Sequence, residues 1–111
     1  MIFRTWRGAL AVALAWSCLT QAGGRAPDPA LAELGGQLYL QMCRQCHGQA
    51  LQSSGAAAAD LRQFPPDDPQ RFHESVMHGK NGMPAHDDIL TDEDIDALFA
   101  YVTATQQAQR Q

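Results

Sequence analysis

Cys43-Arg44-Gln45-Cys46-His47 is the stretch on which the reading of this chain turns. Two thiols three residues apart on one helical turn can add across the two vinyl groups of a haem, and the histidine that follows at once is placed to ligate the iron. Cys-x-x-Cys-His is the attachment pattern of a c-type haem. One covalent haem c held by Cys43 and Cys46, with His47 as proximal iron ligand, marks the chain as a haem protein that handles electrons.

Two other chemistries use a bare Cys-x-x-Cys. Zinc needs a second ligand pair. The only other cysteine, Cys18, lies in a segment expected to be removed, and His73, His78 and His86 lack zinc-finger spacing. A redox dithiol sits on a βαβ framework, and no strand-like run flanks this motif.

The N-terminus agrees with haem attachment. Arg4 and Arg7 make a short basic start, Gly8 to Leu19 forms a 12-residue, mostly apolar stretch, and Thr20-Gln21-Ala22 offers small residues for cleavage. Residues 1–22 therefore read as a signal peptide. The apolar stretch falls short of the ~20 residues of a membrane span, and Ala15-Trp16-Ser17 is a poor match to the sequence that precedes a lipid-modified cysteine. A retained signal anchor is the alternative. The expectation is export to the bacterial periplasm, where c-type haem is attached, with no stable membrane insertion.

Removal of 22 of the 111 residues leaves 89, one domain over 23–111 with its core in 29–104. A domain of that size buries only about two-thirds of its unfolded surface and needs a staple; a buried haem supplies one. The chain carries 8 basic and 12 acidic side chains. Without Arg4 and Arg7 the balance is 6 against 12, which argues against nucleic acid and permits steering toward a basic face on a partner.

Three or four helices joined by long loops are expected. Asp28 is an N-cap with Pro29 at the first helical position, and Leu31, Leu34, Leu38 and Met42 make an apolar stripe leading into the motif. Gly35 and Gly36 each cost roughly 1 kcal/mol in a helix, and close approach by another helix accounts for them. That partner is the last helix, opened by Thr91-Asp92-Glu93-Asp94 as a capping box and carrying Ile95, Leu98, Phe99 and Val102 on one face. A calcium loop over Asp92, Asp94 and Asp96 fails, because Ala97 and Thr103 stand where glycine and glutamate are required. A short helix over 69–79, capped by Asp67 or Asp68, buries Phe72, Val76 and Met77. The glutamine-rich end, 106–111, is expected to fray.

The sulfurs and imidazoles that can oppose His47 are Met42, Met77, Met83, His73, His78 and His86. Met42 adjoins the motif and cannot swing across the ring, and Met77 has core spacing. Met83 sits in Asn81-Gly82-Met83-Pro84, where glycine and proline favour an extended loop, and a loop can bring a thioether to the distal face. Met83 is the expected distal iron ligand.

Gly35-x-x-x-Tyr39-x-x-x-Cys43-Arg44-Gln45-Cys46-His47-Gly48, followed by Gly82-Met83-Pro84 and a helix ending in Tyr101-Val102, resembles the class I monohaem cytochromes c. The resemblance spans Gly35 to Val102. It implies an all-α cytochrome c fold, three to four helices wrapped around one covalently bound haem, with the first and last helices crossing near Gly35, Tyr39 and Tyr101. It also implies His47 as proximal and Met83 as distal ligand. Many members place a proline after the motif whose carbonyl holds the proximal histidine; Ala58-Ala59-Asp60-Leu61-Arg62 has none, and which carbonyl orients His47 stays open. Asp60-Leu61-Arg62 and the stretch 79–84 are similar to cytochromes that accept electrons from quinoprotein (PQQ) alcohol dehydrogenases. Arg62 is the residue expected to pair with a haem propionate, a guanidinium fork suiting a carboxylate, against a solvated loop arginine.

The function expected is one-electron transfer by an exported carrier, not an enzyme, between a PQQ-dependent dehydrogenase and a terminal oxidase or other cytochrome. A cytochrome subunit fixed in a larger oxidoreductase complex, and a haem-based sensor or peroxidase using a labile Met83, are the alternatives. The size argument predicts that a chain made without haem attachment lacks a cooperative thermal transition, which calorimetry of the thiol form checks; a sharp two-state melt would contradict it.

Overall fold

The computed structural model describes residues 26–53 and 58–111. The expected signal peptide, residues 1–22, lies outside the described residues, as do positions 54–57 of the loop after the motif. Helix α1 spans Pro29–Met42, the one-turn α2 Arg44–His47, α3 Pro69–His78 and α4 Asp92–Arg110, with 3-10 turns at Gln49–Leu51 and Leu61–Gln63. The described residues hold no strand, only an isolated bridge between Lys80 and Met83.

The helix starts follow the sequence. The Asp28 carboxylate accepts from the Ala30 N–H at 2.9 Å with Pro29 in the first turn, and Asp68, rather than Asp67, caps α3 by accepting from the Arg71 N–H at 3.1 Å. At α4 the Thr91 hydroxyl accepts from the Asp94 N–H while the Asp94 carboxylate accepts from the Thr91 N–H. Two donors that the helix leaves unpaired are thereby satisfied, and three acids in the first turn oppose the dipole.

Helices α1 and α4 form the main packed pair, and α3 lies against α4. A Cβ on Gly35 would overlap the backbone carbonyl of Ala97, so the two helices meet backbone to backbone there. The Tyr101 ring lies over Gly36 and packs on Tyr39 with centroids 5.0 Å apart. This contact sets the rotation of α1. Its buried residues are Gly35 and Tyr39, with Leu38 and Met42 packed at the edge of the core. Leu34, expected in the apolar stripe, is 44% exposed, because a step of one residue from Gly35 turns a side chain about 100° round the helix.

The core joins Tyr39, Leu51, Phe72, Val76, Leu90, Ile95, Leu98 and Val102. Phe64 brings the loop before α3 into it, edge-on to Phe72 at 5.5 Å. The C-terminal glutamines Gln106, Gln107 and Gln109 are helical. Helix α4 runs to Arg110, and Gln106, only 2% exposed, donates through Nε2 to the carbonyls of Leu61 at 2.7 Å and Phe64 at 2.9 Å. Gln109 donates to the Ala50 carbonyl at 2.8 Å. The helix end is held because its side chains bond loop carbonyls, that of Leu61 together with the Phe64 N–H.

Gly35→Ala forces α1 and α4 apart where their backbones touch. The expected cost is about 2–3 kcal/mol, the upper part of the overpacking range, and roughly 4–8 °C of Tm per kcal/mol, read by thermal unfolding of the haem-loaded protein.

Candidate haem-binding site

A cavity of about 670 Å³ opens between the end of α1, α2, α3 and the loops at 58–64 and 80–86. Its floor is core: Tyr39, Phe72, Val76, Leu98 and Val102. Cys43, Cys46 and His47 line one side and Met83 and His86 also face it. The volume lies within the roughly 300–1,000 Å³ usual for cofactor pockets.

The motif arrives on a break between α1 and α2. Helix α1 closes with the Cys43 N–H on the Tyr39 carbonyl at 2.9 Å, and α2 with the Gly48 N–H on the Arg44 carbonyl at 2.8 Å. The Tyr39 hydroxyl donates to the Gly48 carbonyl at 2.6 Å. Burial, with Tyr101 and Cys43 nearby, pushes the Tyr39 phenol up to about 12, so it remains a donor across ordinary pH. Cys43 is half-buried and Cys46 exposed; burial, with Cys46 close by, pushes the Cys43 thiol up to about 11.

His47 is oriented by Ala59. Its Nδ1 lies 3.0 Å from the Ala59 carbonyl oxygen. A carbonyl only accepts, so Nδ1 carries the proton and Nε2 of the neutral ring keeps its lone pair. That is the tautomer in which Nε2 can bind a metal, with a second group fixing the ring. The carbonyl left open in the sequence is therefore Ala59, and its segment is pinned in turn. Asp60 caps the turn at Leu61–Gln63 through the Arg62 N–H and takes both arms of the Arg62 guanidinium, Nε at 2.9 Å and Nη2 at 2.7 Å. The guanidinium holds the Asp60 carboxyl below its usual range. Arg62 does not line the cavity; its fork is taken by Asp60.

Met83 is presented by a tight turn rather than an extended loop. The Lys80 N–H donates to the Met83 carbonyl at 3.1 Å and the Met83 N–H to the Lys80 carbonyl at 3.0 Å, with Asn81 at φ 55°. Gly79 stands at φ 74°, and a Cβ there would come within 2.5 Å of the Met83 carbonyl oxygen, so the turn needs glycine. The His86 N–H donates to the Val76 carbonyl at 3.0 Å, tying the segment to α3.

The remaining sulfurs and imidazoles sort themselves. His73 pairs with Asp92 at 2.9 Å and His78 with Glu74 at 3.5 Å, while Met77 packs on the core outside the cavity wall. Met42, Met83 and His86 line it. Among the described residues no group of three or more His, Cys, Asp and Glu gathers as a metal cluster. His86 Nδ1 is buried with no partner. An unpaired buried nitrogen costs about 1–3 kcal/mol, and a cavity-filling group that hydrogen-bonds it relieves that cost. The residues present thus fit a haem: thiols on one side, a lone-pair imidazole, a facing thioether, an apolar floor. Ala59, Arg71 and Lys80 were not foreseen as parts of this wall; the first acts through its backbone, which carries no residue-type signal.

An all-helical fold of this kind, with both motif thiols and the motif histidine on one apolar cavity, is that of a c-type cytochrome. The chain belongs to the family described as cytochrome c oxidase, cbb3-type, subunit III, whose model matches residues 30–102. It is 36% identical over 86 residues to the quinohemoprotein alcohol dehydrogenase ADH IIB of Pseudomonas putida, covering 70% of this chain and 12% of that protein. It is 37% identical over 78 residues to ADH-IIG of the same organism, covering 68% of this chain and 11% of that protein. The chain therefore spans about a tenth of the length of these relatives. No solved structure matches it. Family membership implies one covalently bound haem c and electron transfer.

The Asp60–Arg62 pair yields a pH dependence. A lowered folded pKa means stabilisation present above the ordinary aspartate value of about 3.9 and lost as pH falls through the folded value. Asp60→Asn should therefore be less stable than the native protein at neutral pH, and the gap should narrow as pH falls below the ordinary aspartate value of about 3.9, as read by urea unfolding across that range.

Proposed function

We propose that this chain is a periplasmic one-electron carrier in which Cys43 and Cys46 hold the haem, His47 binds the iron from one face and Met83 from the other. The observation that carries the proposal is the Nδ1 contact of His47 with the Ala59 carbonyl at 3.0 Å, which leaves Nε2 as a metal donor in a cavity that also receives Met83. Bound there, haem supplies a ferrous/ferric couple whose thioether ligand favours the reduced state relative to bis-histidine ligation. The chain's residues do the rest. Ala59 and Asp60 hold the imidazole, the turn at 80–83 presents the sulfur, and Tyr39, Phe72, Leu98 and Val102 exclude water. The exposed position of Cys46 leaves that edge of the site open to a docked partner.

The donor proposed is a quinoprotein (PQQ) dehydrogenase and the acceptor a terminal oxidase or another cytochrome, met in the small, short-lived encounters usual for redox partners. The likeness to two quinohemoprotein alcohol dehydrogenases supports the donor class. Because the matched stretch is about a tenth of each of those proteins, a second arrangement is also supported, in which this domain is fixed in a larger oxidoreductase. Size-exclusion of native extract separates the two: a carrier elutes alone, a subunit with its complex.

Met83→Ala should abolish the weak far-red sulfur-to-iron absorption band of the oxidised protein and lower its potential, while Met77→Ala, outside the cavity wall, should keep the band. Loss of the band in Met77→Ala instead would move the ligand to Met77.

A further inference from the structure

The chain carries 12 acidic and 8 basic side chains, yet among the described residues no carboxylate lines the cavity, and its two Lys/Arg wall residues are Arg71 and Lys80. They stand at opposite ends of α3, Arg71 in its first turn and Lys80 just past Gly79. Among the described residues neither is paired with a carboxylate; the side chains that meet carboxylates there are Arg62 on Asp60, His73 on Asp92 and His78 on Glu74. The Arg71 guanidinium is held over the Phe64 ring, 5.4 Å from its centroid, and Phe64 is itself a wall residue. Arg71 and Lys80 are both solvent-exposed, so they stand at the rim of an apolar cavity rather than in its depth, and cations at that rim are placed to receive negative charge at the cavity mouth.

We propose that Arg71 and Lys80 receive the haem propionates, a role that rests on the haem-binding function above and that Arg62 does not fill. A carboxylate against an apolar wall is costly unless paired and hydrogen-bonded. The Arg71 fork matches a carboxylate in two bonds, and the stacking on Phe64 pre-sets its plane. Lys80 supplies a point charge with three donors. Its backbone is locked to Met83 by the paired bonds of the turn, so one propionate contact and the sulfur ligand share a rigid segment. Arg62 spends its Nε–Nη2 edge on Asp60 and lies outside the wall.

The test uses the haem-loaded protein and reads the propionate bending bands by resonance Raman, together with the midpoint potential. Arg71→Gln and Lys80→Gln should each shift a propionate band and lower the potential, since losing a nearby cation favours the ferric state. Arg71→Lys keeps the charge without the fork and should still shift the band while holding more of the potential. Arg110→Gln removes an equal charge away from the cavity and should change neither. Unmoved bands in both glutamine variants, or a band that moves in Arg62→Gln instead, overturns the assignment. So does slowed exchange with a redox partner in variants whose bands and potentials stay native, which makes these cations surface charges. In all three cases an intact far-red band keeps the haem ligation standing; a natural product without haem overturns both.

Discussion

Helices α1 and α4 touch backbone to backbone at Gly35 and Ala97, and that contact governs where every group of the site lies. A side chain at position 35 would push the helices apart and rotate α1. The rotation matters because α1 runs straight into the attachment motif: Tyr39, Met42 and Cys43 follow within four to eight residues of Gly35 and all line the cavity. On the other partner, Leu98 and Val102 form the cavity floor and Gln106 and Gln109 continue the helix toward the loops. One missing methyl group therefore places thiols, floor and loop anchors together. The cost of glycine in a helix, roughly 1 kcal/mol, is small against the burial it permits.

The second constraint is the supply of hydrogen bonds to loops. Much of the cavity wall is irregular chain, whose carbonyls cannot be left buried and unpaired. Helical side chains serve them: Tyr39 bonds Gly48, His47 bonds Ala59, Gln106 bonds Leu61 and Phe64, and Gln109 bonds Ala50. In each case a donor on a rigid helix captures a loop carbonyl. The histidine is thus one of a set of helix-to-loop ties as well as a metal donor, and its ring orientation depends on the loop that the glutamines hold.

The attachment motif, the caps of α1, α3 and α4, and the need for Gly35 were legible because each rests on residue type at short spacing. Asp28-Pro29, Asp68-Pro69 and Thr91 with Asp94 act within four residues, and no distant contact can change what they do. Leu34 was misplaced because the apolar stripe of α1 is consistent with more than one rotation, and only the partner at Ala97 selects between them. The glutamine tail was misread from composition. Its periodicity held the answer: Gln106 continues the buried series Ile95, Leu98 and Val102 by a further four residues. Ala59 could not be found, since a backbone carbonyl leaves no mark in the sequence. The fate of Arg62 was visible in part, because a carboxylate two residues away at Asp60 competes for its fork before any cofactor can.

Charge in this molecule is sorted by distance from the cavity. Acids cap and flank helices at the surface, as at Asp92, Glu93 and Asp94, while the cavity wall is free of them and bears Arg71 and Lys80. Charges across a solvated surface act on a partner over about a Debye length, 8–10 Å at ordinary salt. Arg71 and Lys80 are solvent-exposed at the cavity's rim, and there it is contact distance, not burial, that lets a charge act more strongly on a bound group than remote surface charges do. The two sets therefore do not compete. The surface surplus shapes the approach of a redox partner, and the wall cations bias the charge state of the group inside. An added surface acid would change encounter rates and their salt dependence, whereas an acid in the wall would oppose Arg71 and Lys80 and favour oxidation directly. A domain sorted in this way keeps its redox bias whether it diffuses alone or stands beside a catalytic partner, because that bias is set inside its own wall.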